Sequence, residues 1–174
     1  MSNSSDASET SKISLSYEDP IPLYPTLEDM YRKAYASLQE YGHQDSDEIR
    51  IYLLRVIYNQ EGKMIIARDG EEIVGFAAVE CNGNVGEIWE IVIHPDYQGQ
   101  GMGQQLFDYA CEVLRSKGCS TLSLAVGENN QRARRFYEKQ GFHFAGTSSI
   151  WIDMEKDVSG RADKSQSSKD AYEE

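Results

Sequence analysis

Apolar residues recur at helical spacing early in the chain and at strand spacing through its middle. Leu27, Met30, Tyr31, Ala34, Tyr35 and Leu38 fall three and four apart, which predicts an amphipathic helix from Thr26 to the Tyr41-Gly42 break. Thr26 supplies a hydroxyl cap, and Glu28 and Asp29 place negative charge in the first turn. Ile49, Leu53, Val56 and Ile57 mark one face of a second helix, opening at Asp45-Ser46-Asp47 and stopping near Gly62. After Gly62 the period changes to that of strands. Runs at 64–67, 73–79 and 87–93 are separated by Asp69-Gly70 and Asn82-Gly83, which are hairpin signals, so the three read as an antiparallel meander. The third run is apolar on both faces apart from Glu87 and Glu90, which predicts a central place in a sheet.

Met102, Leu106, Ala110, Val113 and Leu114 then define a helix over 104–117, ended by Gly118. A short strand at 121–126, a helix at 131–140 stopped by Gly141, and strands at 142–145 and 150–154 complete the series. Residues 146–149 make a tight hairpin between the last two strands. The order predicts an α/β fold with a mixed sheet, part antiparallel and part parallel. The chain has 174 residues, which suits one domain with a real core. Residues 1–16 and 159–174 are rich in Ser, Asp, Lys and Glu and read as disordered tails, leaving 17–158 as the domain.

Composition removes several classes of function. The net charge of −12 argues against a nucleic-acid surface. No run approaches the roughly 20 apolar residues of a membrane span, and no apolar leader opens the chain, so a cytoplasmic protein is expected. Cys81, Cys111 and Cys119 are odd in number and lack metal-type spacing, which fits reduced thiols. His43, His94 and His143 are scattered, and no metal site is expected. The aromatic stripe Tyr31, Tyr35, Tyr52 and Tyr58 reads as core or groove lining.

The candidate chemistry begins with Gln98-Gly99-Gln100-Gly101-Met102-Gly103, which closes a strand and opens a helix. The dinucleotide fingerprint fails here, because its third glycine would fall on Gln104 or Leu106, and no Gly-Lys-Ser/Thr follows for a nucleotide phosphate loop. What remains is a turn poor in side chains that presents backbone N–H groups at a helix N-terminus, a site for phosphate or pyrophosphate. On these six residues alone, a connector that lets helix and strand pack closely is an equal reading.

A second signal comes from Asn130, Ala133, Phe136, Tyr137, Gly141 and Phe142. With it, the chain resembles the GNAT superfamily of acetyl-CoA-dependent N-acetyltransferases over residues 24–158. Two blocks carry the resemblance, Ile91-Val92-Ile93-His94-Pro95-Asp96-Tyr97-Gln98-Gly99-Gln100-Gly101-Met102-Gly103 and Asn130-Gln131-Arg132-Ala133-Arg134-Arg135-Phe136-Tyr137-Glu138-Lys139-Gln140-Gly141-Phe142. Asp153-Met154-Glu155-Lys156 is similar to the family's closing strand. The resemblance implies a mixed sheet with two splayed strands and acetyl-CoA as co-substrate. Ile91, Val92 and Ile93 would bond the pantetheine amides. Gln98, Gly99, Gln100, Gly101, Met102, Gly103 and Gln104 would hold the pyrophosphate, and Asn130 would touch the cofactor further along.

Tyr137 matches the family's general acid, since a departing thiolate needs a proton that a phenol can supply. The bland alternative has Tyr137 packing its ring and bonding a backbone carbonyl. A protonated amine must lose a proton before it attacks, to a carboxylate or an ordered water, and Glu90 and Glu87 are the candidates. They lie three residues apart, so on a regular strand they face opposite sides unless a bulge shifts the phase. Glu90 is preferred because it directly precedes the cofactor segment.

Members that acetylate the N-terminus of a ribosomal protein carry a Glu five residues before the Asn, where this chain has Ala125. Arg132 and Arg135 share one helix face and Arg134 another, either as a solvated face or with one meeting the 3′-phosphate of coenzyme A. The first two helices and the last hairpin would wall the acceptor side. Acidic composition and tyrosines suit a cationic amine there, on a small molecule or a peptide. The family often forms homodimers, and nothing in the sequence specifies an interface. Two rivals remain at this stage: a non-catalytic acyl-CoA sensor of the same fold, and an unrelated nucleotide-binding α/β domain.

Overall fold

The computed structural model describes residues 13–59 and 61–160. Seven strands form one sheet in the order β1-β2-β3-β4-β5-β7-β6. They are β1 (Ile13–Glu18), β2 (Met64–Asp69), β3 (Glu72–Asn82), β4 (Val85–Ile93), β5 (Thr121–Gly127), β6 (His143–Ser148) and β7 (Trp151–Asp157). The helices are α1 (Tyr24–Tyr35), α2 (Ser46–Asn59), α3 (Met102–Ser116) and α4 (Gln131–Lys139). Only β4 and β5 pair in parallel, as expected where a helical crossover joins two strands. As the meander pattern predicts, β4 is the central strand.

Two clusters of buried side chains cover the two faces of the sheet. Ala77 and Val79 of β3 join Leu106, Phe107 and Leu114 of α3 on one face. Phe76 and Ala78 join Leu27 and Met30 of α1 and Ile49 and Leu53 of α2 on the other. Successive β3 residues point to opposite sides, so burial on both faces explains why that run carries no polar alternation.

Several expectations are corrected. Residues 13–16, read as part of a tail, belong to β1, which pairs antiparallel with β2 from Ile13↔Asp69 to Glu18↔Met64. Ile13, Leu15 and Tyr17 alternate toward the α3-side core, and this pairing offsets the cost of ordering the segment. Residues 1–12 and 161–174 of the expected tails lie outside the described residues. α1 starts before Thr26, with Pro25 in its first turn, where a missing N–H costs nothing. It stops at Tyr35, and the chain then turns twice, through Leu38 N–H to Tyr35 O at 3.0 Å and Tyr41 N–H to Leu38 O at 2.9 Å. The last hairpin is tighter than read, because β6 runs to Ser148 and β7 starts at Trp151, with Ser149 in the left-handed region at φ 56°.

Two irregularities of β4 position everything that follows. Ala78 pairs with Glu90 and Val79 with Ile88, so Trp89 is an extra residue in a β-bulge. On the other edge, β4 meets β5 only from Val85↔Thr121 to Ile88↔Leu124. Beyond that point β4 follows β3 to Ile93, and β5 follows β7 to Gly127. The two central strands therefore splay.

Candidate active site

The splay opens a cleft of about 510 Å³ between β4 and β5, reaching from Trp151 to the glycine turn. Gly99 and Gly101 adopt φ 76° and 83°, a region that L side chains rarely enter. Gly101 caps α3 without a side chain, and a Cβ on either residue would meet open space. The first backward bond of α3 runs from Gln105 N–H to Gly101 O at 3.2 Å. The N–H groups of residues 99–104 have no backbone acceptor among the described residues. Gly99, Gly101, Gly103 and Gln104 of this run line the cleft at a positive helix end, a setting suited to an anionic group such as a pyrophosphate. At Gly103 a Cβ would come within 3.2 Å of Ile93 Cδ1, so the turn also lets α3 sit close on β4.

The glutamines of the turn brace it. Gln98 Nε2 donates to Ile93 O at 3.3 Å and Gln100 Nε2 to Asp96 O at 2.8 Å. Gln104 and Gln140 exchange side-chain bonds at 3.0 and 2.7 Å, tying the start of α3 to the end of α4. Met102 is 3% exposed and belongs to the core, which leaves only its backbone for a ligand. Asn130 lines the cleft, but its Oδ1 caps α4 by accepting from Ala133 N–H at 3.2 Å. Ile91, Val92 and Ile93 line the cleft beyond the last β5 pairing. Arg132 reaches the cleft, Arg134 pairs with Glu138 at 3.0 Å, and Arg135 is exposed.

Tyr137 is half-buried on α4, its ring 5.2 Å from Phe136 and 5.8 Å from Phe142. Its hydroxyl makes no hydrogen bond to the described residues, so the carbonyl-bonded alternative is not what the structure contains. Burial, and then the charge of Glu90, raise its pKa well above that of a free phenol, which keeps the proton on the oxygen.

Glu90 is 7% exposed, the one buried charged side chain among the described residues. Tyr35 donates to its Oε2 at 2.8 Å and Tyr52 to its Oε1 at 2.5 Å. Burial pushes the carboxyl up to about 7, against the lowering effect of the Tyr52 and Tyr35 bonds. The bulge corrects the reading that Glu87 and Glu90 face opposite sides. Because Trp89 adds one residue, both carboxylates point to the α1–α2 side. There they line a second cavity of about 380 Å³, which shares Tyr35, Glu90 and Trp151 with the first.

Sequence reasoning named the tyrosines as groove lining without assigning partners to them. Tyr31, Tyr35 and Tyr52 do line the second cavity, whereas Tyr58 is 75% exposed. Tyr41 and Trp151 (ring centroids 5.4 Å apart) and Asp153 were missed. Tyr41 lies so close over Gly127 that a Cβ there would sit 2.3 Å from the ring, and a conspicuous glycine at a strand end was the available signal. Asp153 carried none. Among the described residues no group of three or more His, Cys, Asp or Glu is arranged to hold a metal ion.

Comparison with known proteins shows the family. Residues 24–142 match the acetyltransferase (GNAT) family. The chain belongs to that family. An uncharacterized N-acetyltransferase of Methanocaldococcus jannaschii is 29% identical over 137 residues, covering 75% of this chain and 61% of its own length. Another from Archaeoglobus fulgidus is 30% identical over 118 residues, covering 64% of this chain and 80% of its own. The crystal structure of a Pyrococcus horikoshii protein superimposes with a TM-score of 0.72 at 31% identity, covering 83% of this chain and 98% of that one. No helix among the described residues is long and apolar enough to cross a membrane.

Proposed function

We propose that the protein transfers the acetyl group of acetyl-CoA to a primary amine of a small molecule or peptide, by direct attack in a ternary complex. The observation that carries this reading is the wedge between β4 and β5, with free N–H donors at one end and Glu90 and Tyr137 lining its walls. Pyrophosphate on residues 99–104 and pantetheine along the unpaired edge of residues 91–93 would bring the thioester between those two side chains. The acceptor enters from the α1–α2 side, through the cavity that shares Glu90 with the cleft.

The chemistry follows from the two proton affinities. Glu90, with a carboxyl near 7, takes a proton from the incoming ammonium, directly or through a water. The amine nitrogen attacks the thioester carbonyl and the C–S bond breaks. Tyr137 passes its proton to the departing sulfur and is reprotonated from solvent.

Calorimetric titration with acetyl-CoA, ATP and NAD, followed by thiol release over a panel of amines, tests the reading. Acetyl-CoA should bind and at least one amine should release coenzyme A. Tight binding of ATP or NAD without acetyl-CoA would mark a nucleotide-binding domain. Acetyl-CoA binding without transfer to any amine would mark an acyl-CoA sensor.

A further inference from the structure

We propose that the acceptor is a small linear amine with a second positive charge, a diamine or oligoamine, and that Glu87 and Asp153 select it. This rests on acetyl transfer at the splay, and it concerns the α1–α2-side cavity. Glu87, Glu90 and Asp153 line that cavity together with His43, whose ring lies 5.0 Å from that of Tyr52 and whose Nδ1 is 3.8 Å from Glu48, and no Lys or Arg does. Strand pairing places the groups. Glu87 sits opposite Ser123 and Asp153 opposite Ala125, so the two residues flank β5 on the same face of the sheet, two strand spacings across and two residues along, roughly 12 Å apart in the backbone. Both are half-buried, and neither has a hydrogen bond or ion pair among the described residues.

Two half-buried carboxylates with no Lys or Arg beside them give this space a negative potential that favours a cation between them. The rings of Tyr41 and Trp151, 5.4 Å apart, border the same space, and aromatic rings attract an ammonium group. Glu90 lies three residues along β4 from Glu87, roughly 10 Å at most, so an amine attacking beside Glu90 holds its second charge near Glu87 and Asp153. A cavity of about 380 Å³ suits a small molecule, and its charge disfavours an acceptor that carries its own carboxylate.

Thiol release is measured with propylamine, α,ω-diamines of increasing length, a linear triamine, glutamate and a short peptide. A diamine or the triamine should exceed propylamine in kcat/KM by at least about tenfold, with the advantage shrinking as salt rises. Glu87→Gln and Asp153→Asn should each collapse that ratio by raising KM for the diamine, while acetyl-CoA still binds by calorimetry. Equal kcat/KM for diamine and monoamine, or a preference for glutamate or the peptide, would overturn the acceptor assignment and leave acetyl transfer standing. No thiol release with any amine, despite bound acetyl-CoA, would overturn both.

A separate observation points to a second site. The Sγ atoms of Cys81, near the end of β3, and Cys119, just before β5, lie 2.6 Å apart. We infer that this pair forms a disulfide when a peroxide is present. Cys81 is half-buried and Cys119 is 5% exposed, with burial pushing the Cys119 thiol up to about 12, so Cys81 meets the oxidant. Its sulfur takes one peroxide oxygen as a sulfenic acid, releasing water. Cys119 then displaces that oxygen as a second water and closes the S–S bond. Peroxide treatment should lower the titratable thiols of the unfolded chain from three to one and the intact mass by two hydrogens, reversed by dithiothreitol. Retention of all three thiols, or loss confined to Cys111, would overturn the assignment.

Discussion

The Tyr52 hydroxyl of α2 donates to Glu90 Oε1 of β4 at 2.5 Å, across 38 residues of sequence. Tyr35 of α1 takes the other carboxylate oxygen, so the two helices that wall the second cavity also set the charge state of its buried carboxyl. If Glu90 is the base it must lose its proton to act, and kcat/KM should rise with pH through about 7. Both bonds lower the carboxyl, and removing one raises it. Tyr52→Phe should therefore move the rise to higher pH, as measured by a pH–rate profile. A profile that stays in place in the variant would separate Tyr52 from the titration.

The same group makes stability depend on pH. Its folded-state value of about 7 lies above the ordinary 4.5, so the native state holds the proton more tightly than the unfolded chain. This contribution is fully present below the unfolded value and is lost as pH rises through about 7. A shift of that size corresponds to a loss on the order of 3 kcal/mol. Glu90→Gln abolishes the dependence. In thermal melts, Tm of the variant relative to wild type should rise between about pH 5 and about pH 8. A constant difference would contradict the buried carboxyl.

Tyr137→Phe removes one hydroxyl that has no hydrogen bond among the described residues and leaves the ring packing on Phe136 and Phe142 intact. The folded protein should lose little stability. Turnover should drop by roughly 10²–10⁴ if the phenol protonates the thiolate. Acetyl-CoA affinity from calorimetry should hold. An unchanged turnover would take Tyr137 out of the acid role.

Gly101→Ala places a Cβ in open space at φ 83°, so its cost is backbone strain of about 1–2 kcal/mol and not a clash. Relief of that strain rotates the N–H groups of residues 99–104 away from a common centre. Calorimetry should show acetyl-CoA binding weakened about tenfold or more, with only a small fall in Tm. Equal affinity would argue that the turn is a packing connector.

Much of this site was legible in one dimension because its signals are local. A turn that needs positive φ shows itself as glycine, and a capped helix as Asn130 followed by a polar and aromatic run. The glycine turn and Tyr137 could therefore be named as candidates from two short blocks. The geometry of Glu87 and Glu90 could not, since alternation predicts opposite faces and only pairing with β3 creates the bulge at Trp89. Likewise Ile13, Leu15 and Tyr17 alternate within a polar stretch, and only the partner strand β2 makes that alternation a strand.

Sequence by itself determined the succession of helices and strands from α1 onward, the central place of β4, and the glycine turn that opens α3. Each depends on residue types a few positions apart and on backbone preferences that act at that range. Tertiary structure alone decided that β4 and β5 part after Ile88 and Leu124, that two tyrosines from separate helices close on one buried carboxylate, and that Asp153 joins Glu87 at the same cavity. Register, desolvation and the meeting of charges arise between segments far apart in the chain, and they exist only once the sheet has formed.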